Sequence, residues 1–145
     1  MKGSQTAFWD SSSLLPLCVR QDETLLSVKY ARQYPHMVVW WSTAVECHSG
    51  LARIARMEEL DQEERLAAVQ RLVMLQTSWY EILPSESIRS AAIELLGSFS
   101  LGAADSLQLA AALTWCGSKP QKRGFVCFDK RLRAAAEKVG FSAFS

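Results

Sequence analysis

A chain of 145 residues, 49% apolar and 21% charged, has room for one ordinary hydrophobic core and lacks the charge-rich, aromatic-poor composition of a disordered polymer. A formal net charge of +1 excludes the molecule-wide basic field of a nonspecific polyanion binder. Apolar runs such as Met37 to Trp41 are too short to span a bilayer. Cys18, Cys47, Cys116 and Cys127 form no CxxC pair, and His36 and His48 stand apart from any cysteine at zinc-ligand spacing, which argues for reduced thiols and against a zinc site. The amino-terminal MKGSQTAFWD lacks the apolar stretch of a signal peptide. The expectation is one soluble, cytoplasmic domain over residues 1–145, with no membrane contact.

In chain order, Ala7 to Trp9 reads as a buried strand that ends in Asp10-Ser11-Ser12-Ser13. A helix starts at Asp22 and runs to Gln33, a loop spans Gln33 to His36, and Met37 to Trp41 forms a second strand ending in Ser42-Thr43. Thr43 opens a helix before Val45, and Asp61 opens another that contains Leu66 to Leu75. Trp79 to Leu83, between Ser78 and Pro84, is a third strand, followed by a helix from Ser85 that Gly97 ends. Ser106 to Cys116 is apolar on nearly every face and reads as a core helix. After a loop from Cys116 to Gly124, Phe125 to Phe128 is a fourth strand, Gly140 closes the following helix, and Phe141 to Phe144 is a last short strand. Apolar strands alternating with helices require a parallel sheet covered on both faces, a three-layer α/β/α fold.

The isolated acids fall at informative places. Asp10 and Asp129 each end a strand, so in a parallel sheet both arrive at the carboxyl edge, where open α/β sheets bind ligands. Glu46 lies in the first turn of the helix after the second strand. Two roles are open to it, a capping box with Thr43 or a place in a site. Asp105 opens the core helix, where the helix dipole favours it by about 0.3–1 kcal/mol but unpaired burial costs several times more. Four converging carboxylates would repel one another unless a hard cation lay among them. With oxygen ligands alone, the expected ion is Mg2+ or Mn2+, held by Asp10 and Asp105 and by Glu46 and Asp129 directly or through water.

Ser11, Ser12 and Ser106 are candidates for orienting the acids or holding metal-bound water, with local backbone bonding as the alternative. The chain is acidic from Glu58 to Glu64 and basic late, at Lys119, Lys122, Arg123, Lys130, Arg131, Arg133 and Lys138. Such a run is either a solvated face or a phosphate-binding one. Together with Arg53, its Lys122, Arg123, Lys130, Arg131 and Arg133 are the candidate polyanion contacts. A carboxylate cluster of this kind suits phosphodiester hydrolysis.

Four blocks, Phe8-Trp9-Asp10-Ser11-Ser12, Thr43-Ala-Val-Glu46, Ala104-Asp105-Ser106-Leu107-Gln108-Leu109-Ala110 and Cys127-Phe128-Asp129-Lys130-Arg131-Leu132, in this order resemble the motif blocks of PIN domains, and most of all those of VapC-like toxins. The resemblance implies a five-stranded parallel sheet between helices, a Mg2+- or Mn2+-dependent endoribonuclease, RNA as substrate, a cognate antitoxin covering the acidic pocket, and a homodimer. Asp10, Glu46 and Asp105 match the three core acids and Asp129 the fourth. Arg53 falls where such proteins carry a basic residue. The chain departs from the pattern at Cys127, where a hydroxyl residue is common. Two other readings stand beside it: a phosphoryl-accepting signalling domain, which would want a lysine at a later strand end, and a PIN-like binding module with a decayed site.

Overall fold

The computed structural model describes residues 5–144. Met1 to Ser4 and Ser145, part of the expected domain span, lie outside the described residues. In chain order the elements are β1 (Thr6–Trp9), α1 (Ser11–Cys18), α2 (Thr24–Gln33), β2 (His36–Trp40), α3 (Thr43–Met57), α4 (Gln62–Ser78), β3 (Tyr80–Ile82), α5 (Glu86–Ser98), α6 (Ala103–Trp115), β4 (Gly124–Val126), α7 (Lys130–Val139) and β5 (Ser142–Phe144). The strands form one parallel sheet in the order β3-β2-β1-β4-β5.

Period-two alternation divides the strand side chains between two cores. Phe8, Val38, Trp40 and Phe125 pack with Ile88, Ala92, Leu109 and Leu132 of α5, α6 and α7. Ala7, Trp9, Met37, Val39 and Val126 face the other way, onto Leu14, Cys47, Leu51 and Leu72 of α1, α3 and α4. The three-layer α/β/α expectation holds. The division follows from chirality: with right-handed crossovers, a chain stepping outward from β1 through β2 to β3 lays its helices on one face, and one that returns past β1 to β4 and β5 lays them on the other.

Local chemistry sets the helix ends. Asp61 and Glu64 exchange bonds with each other's backbone N–H in a capping box that starts α4. Ser85 caps α5 through the Ile88 N–H. Gly140, at φ 119°, closes α7 in the left-handed region. A Cβ there would also meet Pro120 Cγ at 3.0 Å.

Several expected boundaries move. Gly97 does not end α5, which continues through Ser98. Residues Ser11 to Ser13, which read as a strand end in the sequence, begin α1, a helix that also contains Pro16. Weak helix formers and a proline conceal this element in the sequence, and burial of Leu14, Leu15 and Cys18 against the sheet sustains it. β4 stops at Val126 because the Phe128 N–H leaves the ladder for Ser12 Oγ, at 2.9 Å. Among the described residues, no helix is long and apolar enough to cross a membrane.

Candidate acidic site at the carboxyl edge of the sheet

The order of the strands reverses at β1, whose neighbours β2 and β4 are reached by crossovers on opposite faces. Such a switch point opens a crevice beyond the carboxyl ends of the strands. Asp10 emerges there from β1 and is only 3% exposed. Its carboxylate accepts from Ser12 Oγ, at 2.8 Å and 3.0 Å to the two oxygens. The Ser12 hydroxyl in turn accepts the Phe128 N–H, so one side chain ties Asp10 to the loop that carries Asp129. Ser13, which nothing in the sequence marks as part of the site, donates to the Val126 carbonyl at 2.7 Å and pins α1 to the end of β4.

Glu46 is half-buried in the first turn of α3. The expected capping box with Thr43 does not form: Ser42 occupies the N-cap and makes no side-chain cap bond to the helix backbone. Instead, Glu46 Oε2 accepts from Ser42 Oγ at 2.9 Å. Glu46 Oε1 accepts from Gln108 Nε2 at 3.0 Å and from Ser11 Oγ at 3.4 Å. Thr43 is fully buried, and its hydroxyl accepts from the same Gln108 amide at 2.9 Å. Gln108 is a site residue that sequence reasoning misses. The signal for it is a lone amide on an apolar helix, three residues past Asp105 and therefore on its face.

Asp105 is half-buried in the first turn of α6. Asp129 stands at the N-cap of α7, past the strand end at which it was expected, and spends one oxygen on the Leu132 N–H at 3.0 Å. Burial pushes the Asp105 carboxyl up to about 6, and the charges of Asp129 and Glu46 add to the rise. Burial pushes Asp10 up to about 7, opposed by the bonds from Ser12 and reinforced by Asp105. Asp105 is thus within electrostatic reach of each of the other three predicted acids, Asp10, Glu46 and Asp129. Neither salt bridge among the described residues, Arg89–Glu86 or Arg133–Glu137, involves any of them.

Oxygen donors that form no salt bridge among the described residues match a hard divalent ion in donor type. As the side chains stand, no three His, Cys, Asp or Glu groups among the described residues are close enough together to hold a metal. Cys127 is fully buried beside the site, donates to the Asp129 carbonyl at 3.4 Å, and burial raises its thiol far above the usual range. It is a packing residue here, not a nucleophile.

Other predicted residues lie elsewhere. Ser106 is buried and donates its hydroxyl to the Ala92 carbonyl, joining α6 to α5 and facing away from the acids. Lys122 and Arg123 precede β4 and stand at the amino edge of the sheet, separated from the acids by about 10 Å of strand at 3.3 Å per residue. They do not flank the Asp129 end. Arg123 lies over the Trp115 ring, 5.4 Å from its centroid. Lys130 and Arg131 are exposed in the first turn of α7, at the acidic edge. Arg133 is turned to Glu137 at 3.9 Å. Arg53 is exposed two turns beyond Glu46, about 10 Å down α3.

No protein-family model and no curated protein matches this sequence. Solved structures do match in shape. A chain of a toxin–antitoxin complex from Klebsiella pneumoniae is 18% identical with a TM-score of 0.58, over 89% of this chain and 91% of that one. PAE2754 from Pyrobaculum aerophilum is 19% identical with a TM-score of 0.62, over 97% of this chain and 91% of that one. At these identities the likeness is one of fold.

Proposed function

We propose that this protein is a Mg2+- or Mn2+-dependent endoribonuclease of the PIN, VapC-like kind, the toxin of a toxin–antitoxin pair acting in the cytoplasm. The observation that carries the reading is the electrostatic reach of Asp105 to Asp10, Glu46 and Asp129 at the carboxyl edge of a parallel sheet, with Asp10 and Asp105 pushed up by burial and further by acidic charge. The match in fold to a chain of a toxin–antitoxin complex supports the toxin role.

Asp10 and Asp105 would hold the ion, with Glu46 and Asp129 binding it directly or through water. The ion supplies a lowered water pKa and a positive charge beside the phosphodiester. The protein's own part is orientation. Ser12 fixes both oxygens of Asp10, and Ser42 and Gln108 hold the two oxygens of Glu46. Lys130 and Arg131 sit at a helix start, where cations oppose the dipole by several tenths of a kcal/mol, about 0.3–1. A substrate phosphate bound there would offset that cost, and we assign these two residues to RNA.

α4 presents Leu66, Val69 and Val73 to solvent at 52%, 40% and 47% exposure, a row opposite its buried Ala68 and Leu72. Such a row suits a protein partner, either the antitoxin or a second copy in a homodimer. The phosphoryl-acceptor reading has less support, because no lysine pairs with any of the four acids among the described residues. Incubation of the purified protein with a mixed RNA pool tests the proposal: cleavage with Mn2+, none with chelator, and none by Asp105→Asn. Cleavage that survives chelation or Asp105→Asn overturns it.

A further inference from the structure

Gln108 is costly where it stands. Its side chain is 1% exposed on a helix whose next residues are Leu109, Ala110, Ala111 and Ala112, all fully buried. A primary amide in such surroundings loses free energy unless each polar atom finds a partner. Its nitrogen has two, Thr43 Oγ1 at 2.9 Å and Glu46 Oε1 at 3.0 Å. Its Oε1 has none. A leucine or methionine would pack there without that penalty, so the amide is kept against stability.

What the amide gains is a bond between layers. α6 belongs to the core on one face of the sheet and α3 to the core on the other. The two meet beyond the carboxyl end of β2, and the amide joins them across 62 residues of sequence. The opposite amide orientation would set Oε1 against the Glu46 carboxylate, acceptor against acceptor. Of the groups holding Glu46, Ser11 and Ser42 are half-buried near helix starts. Gln108 alone of the three reaches it from the fully buried core.

We propose that Gln108 is a positioning residue for Glu46: its NH2 group bridges Thr43 and the Glu46 carboxylate and holds that carboxylate in place. The consequence for metal binding rests on the function proposed above, whereas the positioning itself rests on geometry alone.

Gln108→Met keeps the length and removes both donors. A crystal structure of the metal-free variant should show the Glu46 carboxylate displaced from its parental position or spread over several rotamers. Calorimetric titration with Mn2+ should show a dissociation constant raised about 10–100-fold, the usual effect of losing a group that orients a metal ligand. In a Glu46→Gln background the same change should add less than about twofold, because the path through Glu46 is already cut. Glu46 unmoved in the crystal overturns the proposal, as does an equal loss of Mn2+ affinity in both backgrounds. Should Gln108→Met not fold, Gln108→Asn, which withdraws the amide by one methylene, is read by the same measurements. A parent that binds no Mn2+ defeats the metal reading, and the crystal comparison then decides the positioning by itself.

Discussion

The two ends of β4 carry opposite chemistry. At its amino end stand Lys122 and Arg123, exposed, the arginine resting on Trp115. Past its carboxyl end stands Asp129, half-buried, its charge felt by Asp105. Arg123 and Asp129 stand six positions apart in sequence, and a reading along the chain groups them as one basic stretch around an acid. A strand between them sends the two groups to opposite edges of the sheet. Their energetics differ as well: exposed charges are screened by water and worth little, whereas the charge of a half-buried acid adds to the rise of Asp105.

The largest expected effect lies at the acidic end. Asp10→Asn or Asp105→Asn should lower RNA cleavage by about 1000-fold, at the upper end of what losing one electrostatic group does in a catalytic centre. Arg123→Ala, at the basic end, should leave the rate within about twofold of the parent, as an exposed residue far from the chemistry does. Equal losses at both ends would erase the distinction. In chelator, Asp105→Asn should melt no lower than the parent, because it relieves repulsion. Saturating Mn2+ should reverse that order by stabilising the parent more.

A second test uses proton linkage in the metal-free protein. An acid whose folded pKa lies above its unfolded value keeps protons in the native state, so stability falls as pH rises between the two. Asp10 at about 7 and Asp105 at about 6, from an ordinary 3.8, place that fall between about pH 4 and 7. For the buried Asp10 the loss is on the order of 4 kcal/mol, from 1.36 kcal/mol per pH interval. Urea melts across this range should show the decline in the parent and most of it gone in Asp10→Asn. A flat profile in the parent would deny that Asp10 is buried as described.

Smaller effects sharpen the comparison. Neutralising Lys130 and Arg131 together should weaken RNA binding and lower the salt slope by about one for each phosphate that the protein ceases to neutralise. Neutralising Lys122 and Arg123 should leave the slope unchanged, and the reverse result would move the RNA path to the amino edge. Arg123→Ala should cost the fold under about 1 kcal/mol, the worth of an exposed cation–π interaction, read as a small drop in Tm.

The sequence by itself determined the alternation of strands and helices, because β-branched and aromatic runs, turn residues and caps act over a few neighbours. It also determined that Asp10, Glu46 and Asp129 would reach one edge, since a parallel sheet brings every strand end and the start of the helix directly after it there. Asp105 opens α6, which follows α5 and not a strand, and only the tertiary structure brings it within electrostatic reach of them. α1 is hidden in the sequence because Ser11 to Ser13 and Pro16 oppose a helix locally, and only packing of Leu14, Leu15 and Cys18 restores it. Ser12 is legible as a polar residue near Asp10, but not as the acceptor of the Phe128 N–H 116 positions away. The choice between cap and site for Glu46 is likewise decided at a distance, by a glutamine 62 residues on. Periodicity and propensity are properties of neighbours along the chain, whereas the partner of a buried hydroxyl or amide is whatever group the folded layers bring within about 3 Å, and only the tertiary structure decides that.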